Sequence, residues 1–298
     1  MQSLYTLSNL ENQVKPGEPQ KILLKHFDQS RSLLVYLIWF LKEVCQYAEK
    51  DAHQRASKHL PSADDLNVNT KLAGNELVWK ITEDANLTEQ LATDKPQLKT
   101  DKDLIKKIYT TLTDTPQYKS YINKSGREKQ DEKAILEFIL NDLMLDNETF
   151  LSHIEDLYNN LDDDGDMIGQ LLAGYLSKPG SINFNQLLSL DKLDFGKSLL
   201  KTVIEKEEHL QQLIVPKLKN WDPERIAQLD MVMMKMGVAE FLYFDTIPPK
   251  VTINEYIDIA KEYSTQQSGQ FVNGILDNIH KDLVEQGKMQ KVDFRKGA

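Results

Sequence analysis

Over most of this chain apolar residues recur every third or fourth position, the spacing that lines one face of an α-helix. Between Pro19 and Lys58 they fall at Leu24, Phe27, Leu34, Ile38, Leu41 and Cys45, one stripe on a single long helix. Positions 33–41 are apolar without interruption. A membrane-spanning helix needs about twenty such residues, so this run reads as part of a buried helix. Leu60-Pro61-Ser62-Ala63-Asp64-Asp65 ends it with loop chemistry. Shorter helices are expected over residues 77–82, 103–113, 133–145, 147–160 and 168–176. Lys178-Pro179-Gly180-Ser181 stops the last of these, and residues 181–192 read as a connecting loop.

The last third is more regular. Phe195, Leu199, Val203, Leu210 and Ile214 mark one amphipathic helix. Asp222-Pro223-Glu224 opens the next, with aspartate to cap free amides, proline at the first position and glutamate at the positive end of the dipole. Its core face runs Ile226, Leu229, Met233, Met236, and residues 245–249 form a turn. Thr252-Ile253-Asn254-Glu255 has the spacing of a capping box and opens a helix through Tyr263. Ser268 is a candidate cap for the final helix, whose stripe is Phe271, Val272, Ile275, Ile279, Leu283. Helices joined by such short loops make a compact bundle, and the expected fold class is all-α.

Charge narrows the possible partners. The chain carries a net charge of -10, of which residues 190–298, with 15 basic and 17 acidic side chains, hold only -2. Bulk charge this acidic does not suit general nucleic-acid binding. A nearly balanced C-terminal part still leaves room for a local basic surface, and acidic faces elsewhere suit a basic protein. Met1-Gln2-Ser3-Leu4-Tyr5 lacks the basic start of a signal peptide. Cys45 is the only cysteine, which excludes an intramolecular disulfide and a cysteine-based metal cluster and fits a cytoplasmic protein.

Candidate chemistry is sparse. Setting Gly165 as the glycine of a calcium loop puts Asn160, Asp162 and Asp164 at ligand positions, but Leu171 then occupies the closing position and cannot ligate. The Asp162–Asp166 stretch therefore reads as a solvated inter-helix loop with capping aspartates. The six histidines form no metal-binding pattern, and Met231, Met233, Met234 and Met236 read as adaptable core filler. No catalytic motif and no glycine-rich cofactor loop is present, so neither an enzyme nor a metal or cofactor is expected. The informative region is 252–279. Gly274 lies inside a strong helix, where glycine costs roughly 1 kcal/mol relative to alanine, unless a neighbouring helix approaches closely there. Ser268, Gln270 and Asn273 are neutral polar groups near a helix start, where free amides suit phosphate. Phe271 is either a core residue or a rim aromatic able to stack a base.

This region resembles the NusB transcription antitermination family, whose pattern is close to INEAxELAKxF, a short linker, then S-x-K-F-V-N-G-V-L-D. The corresponding positions are Ile253-Asn254-Glu255, Ile259-Ala260-Lys261, Tyr263, then Ser268 and Phe271-Val272-Asn273-Gly274-Ile275-Leu276-Asp277. Residues 195–219 and 223–241 fit the family's preceding helices, and Gln2-Ser3-Leu4-Tyr5 resembles the Q-A-L-Y of its first helix. Residues of roughly 10–190 have no counterpart in the short form of the family and resemble long NusB-like proteins. The resemblance implies an all-α pair of perpendicular three-helix bundles with an additional helical N-terminal and middle region. Residues 1–189 would be a truncated first helix followed by a long helical extension, and 190–298 the NusB-like domain. It also implies a non-catalytic, cofactor-free cytoplasmic factor. Such a factor binds boxA-type single-stranded RNA together with the ribosomal protein NusE, in the RNA polymerase antitermination complex of ribosomal RNA transcription.

Carried over by position, Tyr263, Gln267, Ser268, Gln270, Phe271 and Asn273 would lie near RNA. Tyr5, Glu224 and Asp230 would lie on the NusE face, the two acids otherwise being surface capping groups. Family members usually carry an arginine-rich stretch before Q-A-L-Y, and a basic residue where Gln270 stands. Neither charge is present in this sequence: either the arginine-rich stretch lies upstream of Met1, or electrostatic affinity is lost and the salt dependence of RNA binding is shallower. The same absences suit an alternative, a protein-interaction scaffold that binds NusE or other partners without sequence-specific RNA binding.

Overall fold

The computed structural model describes residues 1–10, 15–218 and 226–292, apart from the side chain of Gln266. Among these residues the chain forms fifteen α-helices and no strand. In order they are α1 (Gln2–Ser8), α2 (Glu18–Ala56), α3 (Ala63–Leu66), α4 (Glu76–Thr82), α5 (Ala85–Asp94), α6 (Lys102–Asp114), α7 (Pro116–Asn123), α8 (Lys129–Phe138), α9 (Glu148–Leu157) and α10 (Leu161–Ser177). There follow α11 (Leu190–Glu205), α12 (Glu207–Ile214), α13 (Gln228–Tyr243), α14 (Pro249–Tyr263) and α15 (Gln266–Glu285). Two compact units divide the chain, one of Met1–His26 with Leu188–Ala298 and the other of Phe27–Leu187. No helix among the described residues is long and apolar enough to cross a membrane.

The second unit is built around α2. All nine side chains from Leu33 to Leu41 are buried, so this helix is apolar all round where neighbours cover it, as a central helix must be. Phe40 meets Phe150 edge to face with ring centroids 4.7 Å apart. The Tyr36 hydroxyl lies 2.8 Å from Thr100 Oγ1 and 2.7 Å from His153 Nε2, which satisfies a buried polar group from two sides. Three short helices, α3, α5 and α7, escape the reading of apolar spacing, α3 lying in the stretch read as loop and starting on the Ser62 hydroxyl, which accepts the Asp65 amide. The other two also begin on a side-chain cap: Asp84 accepts from the amides of Asn86 and Leu87, and Thr115 from that of Tyr118 ahead of Pro116 at the first position. The segment expected as one helix over 133–145 is α-helical only to Phe138 and continues as a π-helical turn over Ile139–Leu145. Asp162, Asp163 and Asp164 are not a loop: they occupy the first turn of α10, where the amide end of the helix favours acidic side chains.

The first unit has its own core. Helices α13, α14 and α15 pack on one another, and α1, α11 and α12 each pack on α13. Helix α13 is consequently buried on nearly every side, with Met233, Met234, Val238, Ala239 and Phe241 fully covered, so the methionines are core. The expected single helix of 195–214 is two, α11 and α12, broken at Lys206. The break lets Leu199, Leu200 and Val203 on one segment and Leu210 and Ile214 on the other all enter the same core. Gly237 makes the close approach possible. A Cβ there would stand 2.9 Å from both δ carbons of Leu276 on α15 and 3.3 Å from Tyr256 Cδ2 on α14.

The capping box at Thr252 does not form. Helix α14 already starts at Pro249, and Thr252 lies inside it, buried, with Oγ1 donating to Glu240 Oε2 at 2.8 Å. Glu240, 6% exposed on α13, also accepts from the Tyr256 hydroxyl at 2.6 Å. The Lys291 ammonium donates to the carbonyls of Glu240 and Phe244 at 2.8 and 2.6 Å and so closes the C-terminal end of α13. Burial pushes the Glu240 carboxyl above its ordinary range, against the opposing pull of the Tyr256 and Thr252 hydroxyls and of Lys291. A carboxyl raised in the folded state binds more protons there than in the unfolded chain. Its contribution to stability is thus fullest in acid, and falls as pH rises from the unfolded carboxyl range through the folded value. Glu240→Gln should flatten this fall in urea melts taken between about pH 4 and 7. An unchanged slope would show that Glu240 does not titrate across that interval.

Candidate functional site

The residues singled out in 252–279 converge on the junction of α14 and α15. Helix α14 ends at Tyr263, and the Ser264 amide donates back to the Ala260 carbonyl at 3.1 Å. Thr265, in extended conformation, caps α15: its Oγ1 accepts the Ser268 amide at 3.1 Å. The cap is therefore Thr265 and not Ser268. Thr265 lies one residue before the helix, where an extended backbone lets a hydroxyl turn back onto the third amide. Ser268 serves a different purpose. It is 8% exposed, with Oγ 2.8 Å from Ser264 Oγ and 3.0 Å from Thr265 Oγ1.

Gly269 lets α15 lie close to α14, since a Cβ there would stand 3.0 Å from Lys261 Cγ and 3.5 Å from the Ile257 carbonyl oxygen. Gly274 does not have the packing role the sequence suggested. It is exposed, and a Cβ at this position would meet nothing within 4 Å. Gln267, Gln270 and Gly274 follow one another on successive turns, and all three are exposed, as is Asn273 beside them. Val272, Ile275, Leu276, Ile279 and Leu283 face the core. Phe271 sits at the boundary, half-buried and packed on the edge of that core, a rim position. Tyr263 is half-buried at the end of α14. The structure thus places Gln267, Gln270, Phe271 and Asn273 on the first turns of α15, with Gly274 open beyond them, while Ser268 is buried. A stripe of amides on a helix start, flanked by a partly covered ring, offers hydrogen bonds to base edges or phosphate and a surface for stacking, with little positive charge.

The other three candidates do not form a patch. Tyr5 on α1 is 40% exposed. Glu224 and the expected Asp222-Pro223 helix start lie outside the described residues; α13 begins at Gln228. Asp230 is not the exposed charge expected of a partner contact. It is 5% exposed, in the first turn of α13, with the Ser268 and Ser264 hydroxyls near its carboxyl. Burial raises its pKa, and the two serines partly offset the rise. Sequence reasoning missed Gln228, whose side-chain amide donates to Ser8 Oγ at 2.7 Å and so ties α1 to the start of α13. A glutamine at a helix start carries no distinguishing pattern.

Comparison with known proteins gives the same region a family. The profile described as the NusB family matches residues 151–281, a span that begins in the second unit and runs through most of α15. The transcription antitermination protein NusB of Salinibacter ruber is 41% identical over 98 residues, 33% of this chain and 61% of the relative. That of Methylacidiphilum infernorum is 47% identical over 100 residues, 34% of this chain and 69% of the relative. That of Chloroherpeton thalassium is 41% identical over 98 residues, 33% of this chain and 46% of the relative. The chain thus spans from 46% to 69% of the length of these relatives. No solved structure matches it.

Proposed function

Since the chain belongs to the NusB family, we propose that it is a non-catalytic antitermination factor of the cytoplasm that binds boxA-type single-stranded RNA together with the ribosomal protein NusE. The observation that carries this reading is the exposed stripe on the first turns of α15, where Gln267, Gln270 and Gly274 follow one another, Asn273 lies beside them and Phe271 is half-buried next to Gln270. Its neutral amides suit base edges of an unstacked strand, and the aromatic at the rim adds a stacking surface. Base contacts of this kind specify sequence, and phosphate contacts supply affinity.

A second reading, a scaffold for basic proteins, draws on the extension. Between Lys133 and Lys178 the sequence has ten Asp or Glu residues and no lysine or arginine. Titration of a fluorescent boxA-type RNA with the full chain, with and without NusE and at two salt concentrations, separates the two. RNA binding strengthened by NusE and lost with a scrambled RNA supports the first reading. A stable complex with NusE that leaves RNA unbound supports the scaffold.

Gly274→Ala adds an arm to the same titration. The exposed methyl should stabilise α15 by about 1 kcal/mol, because alanine is the better helix former and nothing obstructs it. It should also weaken RNA binding by standing where the strand approaches. A variant that melts higher yet binds RNA as well as the parent would remove this face from the RNA site.

A further inference from the structure

We propose that the unit of residues 27–187 carries a nucleotide site of its own, in which one amino-bearing pyrimidine ring enters a pocket between α2 and the start of α6 while its phosphate meets two lysines at the mouth. The pocket lies outside residues 151–281, the span that matches the family profile. The inference goes beyond the antitermination reading and does not depend on it.

The pocket originates in one stripe of α2. Positions 39, 43, 46, 47 and 50 follow one another at helical spacing on a single face, and they read Trp, Glu, Gln, Tyr and Lys. Two aromatic rings remain on this face, but the side chains between and beyond them are polar, so it does not close against its neighbours. What is left is a pocket of about 140 Å³, lined by this stripe on one side and by residues from Gln97 to Ile105 on the other.

Size and lining select the ring. A cavity of roughly 150 Å³ holds one benzene molecule, so this pocket suits a single ring better than a fused pair. Trp39, Tyr47 and Ile105 supply its apolar walls, each 7% exposed. Neighbouring rings hold the two aromatics in place: Phe40 lies edge-on to Trp39 with centroids 6.4 Å apart, and Tyr109 lies 5.2 Å from Tyr47. A pure hydrocarbon ring would leave the polar lining unmatched. Glu43 has one carboxylate oxygen 3.0 Å from Lys42 Nζ, and its other oxygen keeps its capacity to accept. Gln46 donates through Nε2 to Thr82 Oγ1 at 3.4 Å, which leaves its carbonyl oxygen as a second acceptor. Two acceptors beside an apolar slot call for a ring with a donor on its edge, and a carboxylate is the side chain that takes the exocyclic amine of cytosine.

Charge at the mouth selects the phosphate. Lys50 extends from α2 with Nζ 5.5 Å from the centroid of the Tyr47 ring, and Lys102 occupies the first position of α6. Both are exposed, one on each side of the pocket. Lys106 lies one turn beyond Lys102 on the same face of α6. Residues 95–133 hold ten Lys or Arg against six Asp or Glu, whereas residues 134–177 hold ten Asp or Glu and no Lys or Arg. The segment that forms one wall of the pocket is thus the basic part of an otherwise acidic extension. A base against aromatic rings with its phosphate on lysines is the chemistry of a free nucleotide and equally of one unstacked residue in an RNA strand.

The test is isothermal titration of the full chain with cytidine monophosphate, uridine monophosphate, cytidine and a four-residue oligocytidine. Cytidine monophosphate should bind about tenfold more tightly than uridine monophosphate, which lacks the amine, and about tenfold more tightly than cytidine, which lacks the phosphate. Lys50→Gln combined with Lys102→Gln should lower its affinity to that of cytidine, and Glu43→Gln should abolish the preference for cytidine over uridine monophosphate. The lysines are exposed and Glu43 is half-buried, so these variants keep the fold, and unchanged melting temperatures check that they do. Oligocytidine that binds more tightly than the mononucleotide, with the gain lost in the lysine variant, assigns the site to an RNA strand, and equal affinities assign it to free nucleotides. Failure of both cytidine monophosphate and oligocytidine to bind overturns the proposal. So does binding that neither the lysine pair nor Glu43→Gln alters, which would place it elsewhere on the protein. None of these measurements uses boxA-type RNA or NusE, so the failure of this site and that of the antitermination reading are distinguishable.

Discussion

Phe40→Ala is expected to destabilise the unit of residues 27–187 by about 3–5 kcal/mol, the usual cost of emptying a fully buried aromatic site. Phe40 has no exposed surface. Its ring lies 4.7 Å from that of Phe150, 6.1 Å from that of Tyr36 and 6.4 Å from that of Trp39. Truncation removes these ring contacts along with the transfer free energy of the ring. The site cannot collapse easily, because the positions on either side along α2 are themselves buried and held by other partners. A loss of this size is a large share of the roughly 5–15 kcal/mol by which folded domains are stable. Calorimetry of the full chain should show one transition moved strongly downward. RNA binding measured below that transition should persist, because the stripe on α15 belongs to the other unit. A single transition for the whole chain that shifts together with RNA binding would show that the two units unfold as one.

Leu276→Ala should cost the first unit about 2–5 kcal/mol, and Gly237→Ala should partly restore it. Both δ carbons of Leu276 already stand where a methyl on Gly237 would come within 2.9 Å. Alone, Gly237→Ala forces α13 and α15 apart or drives Leu276 off its rotamer, at about 1–3 kcal/mol, against a gain of roughly 1 kcal/mol from the better helix former. In the double variant the new methyl enters the volume Leu276 has vacated, and the clash and the cavity offset each other. Urea melts of the four proteins should therefore give a favourable coupling on the order of 0.5–3 kcal/mol. Additive losses would mean that the notch at Gly237 is not filled by Leu276. RNA affinity is expected to fall in each single variant, because both changes move the helix that carries Gln267, Gln270 and Phe271.

How far each element was legible depended on where its information lay. The buried run at 33–41 and the stripe Val272, Ile275, Ile279, Leu283 were readable because periodicity is local and strong over many turns. Helices α5 and α7 were missed because they are short and announced by a single capping residue each. The break at Lys206 was invisible because apolar spacing continues across it. The Thr252 capping box failed for the opposite reason. Its pattern was local and correct, but the proline pair at 248–249 had already begun the helix, and a buried carboxylate on another helix claimed the hydroxyl. At the site, Gln267, Gln270 and Asn273 emerged exposed and Phe271 at the rim, while Asp230 proved to be interior.

The sequence by itself determined that the chain is helical and which family it belongs to, because these follow from periodicity and from a run of residue types that can be matched in order. Only the tertiary structure decided which way each side chain faces. Whether a glycine in a helix is a point of close packing, as at Gly237, or an opening to solvent, as at Gly274, depends on the neighbouring helices. Whether an aspartate in a first turn lies at the surface or in the interior, as Asp230 does, depends on the helices packed against it. Those neighbours are distant along the chain, and no local pattern encodes them.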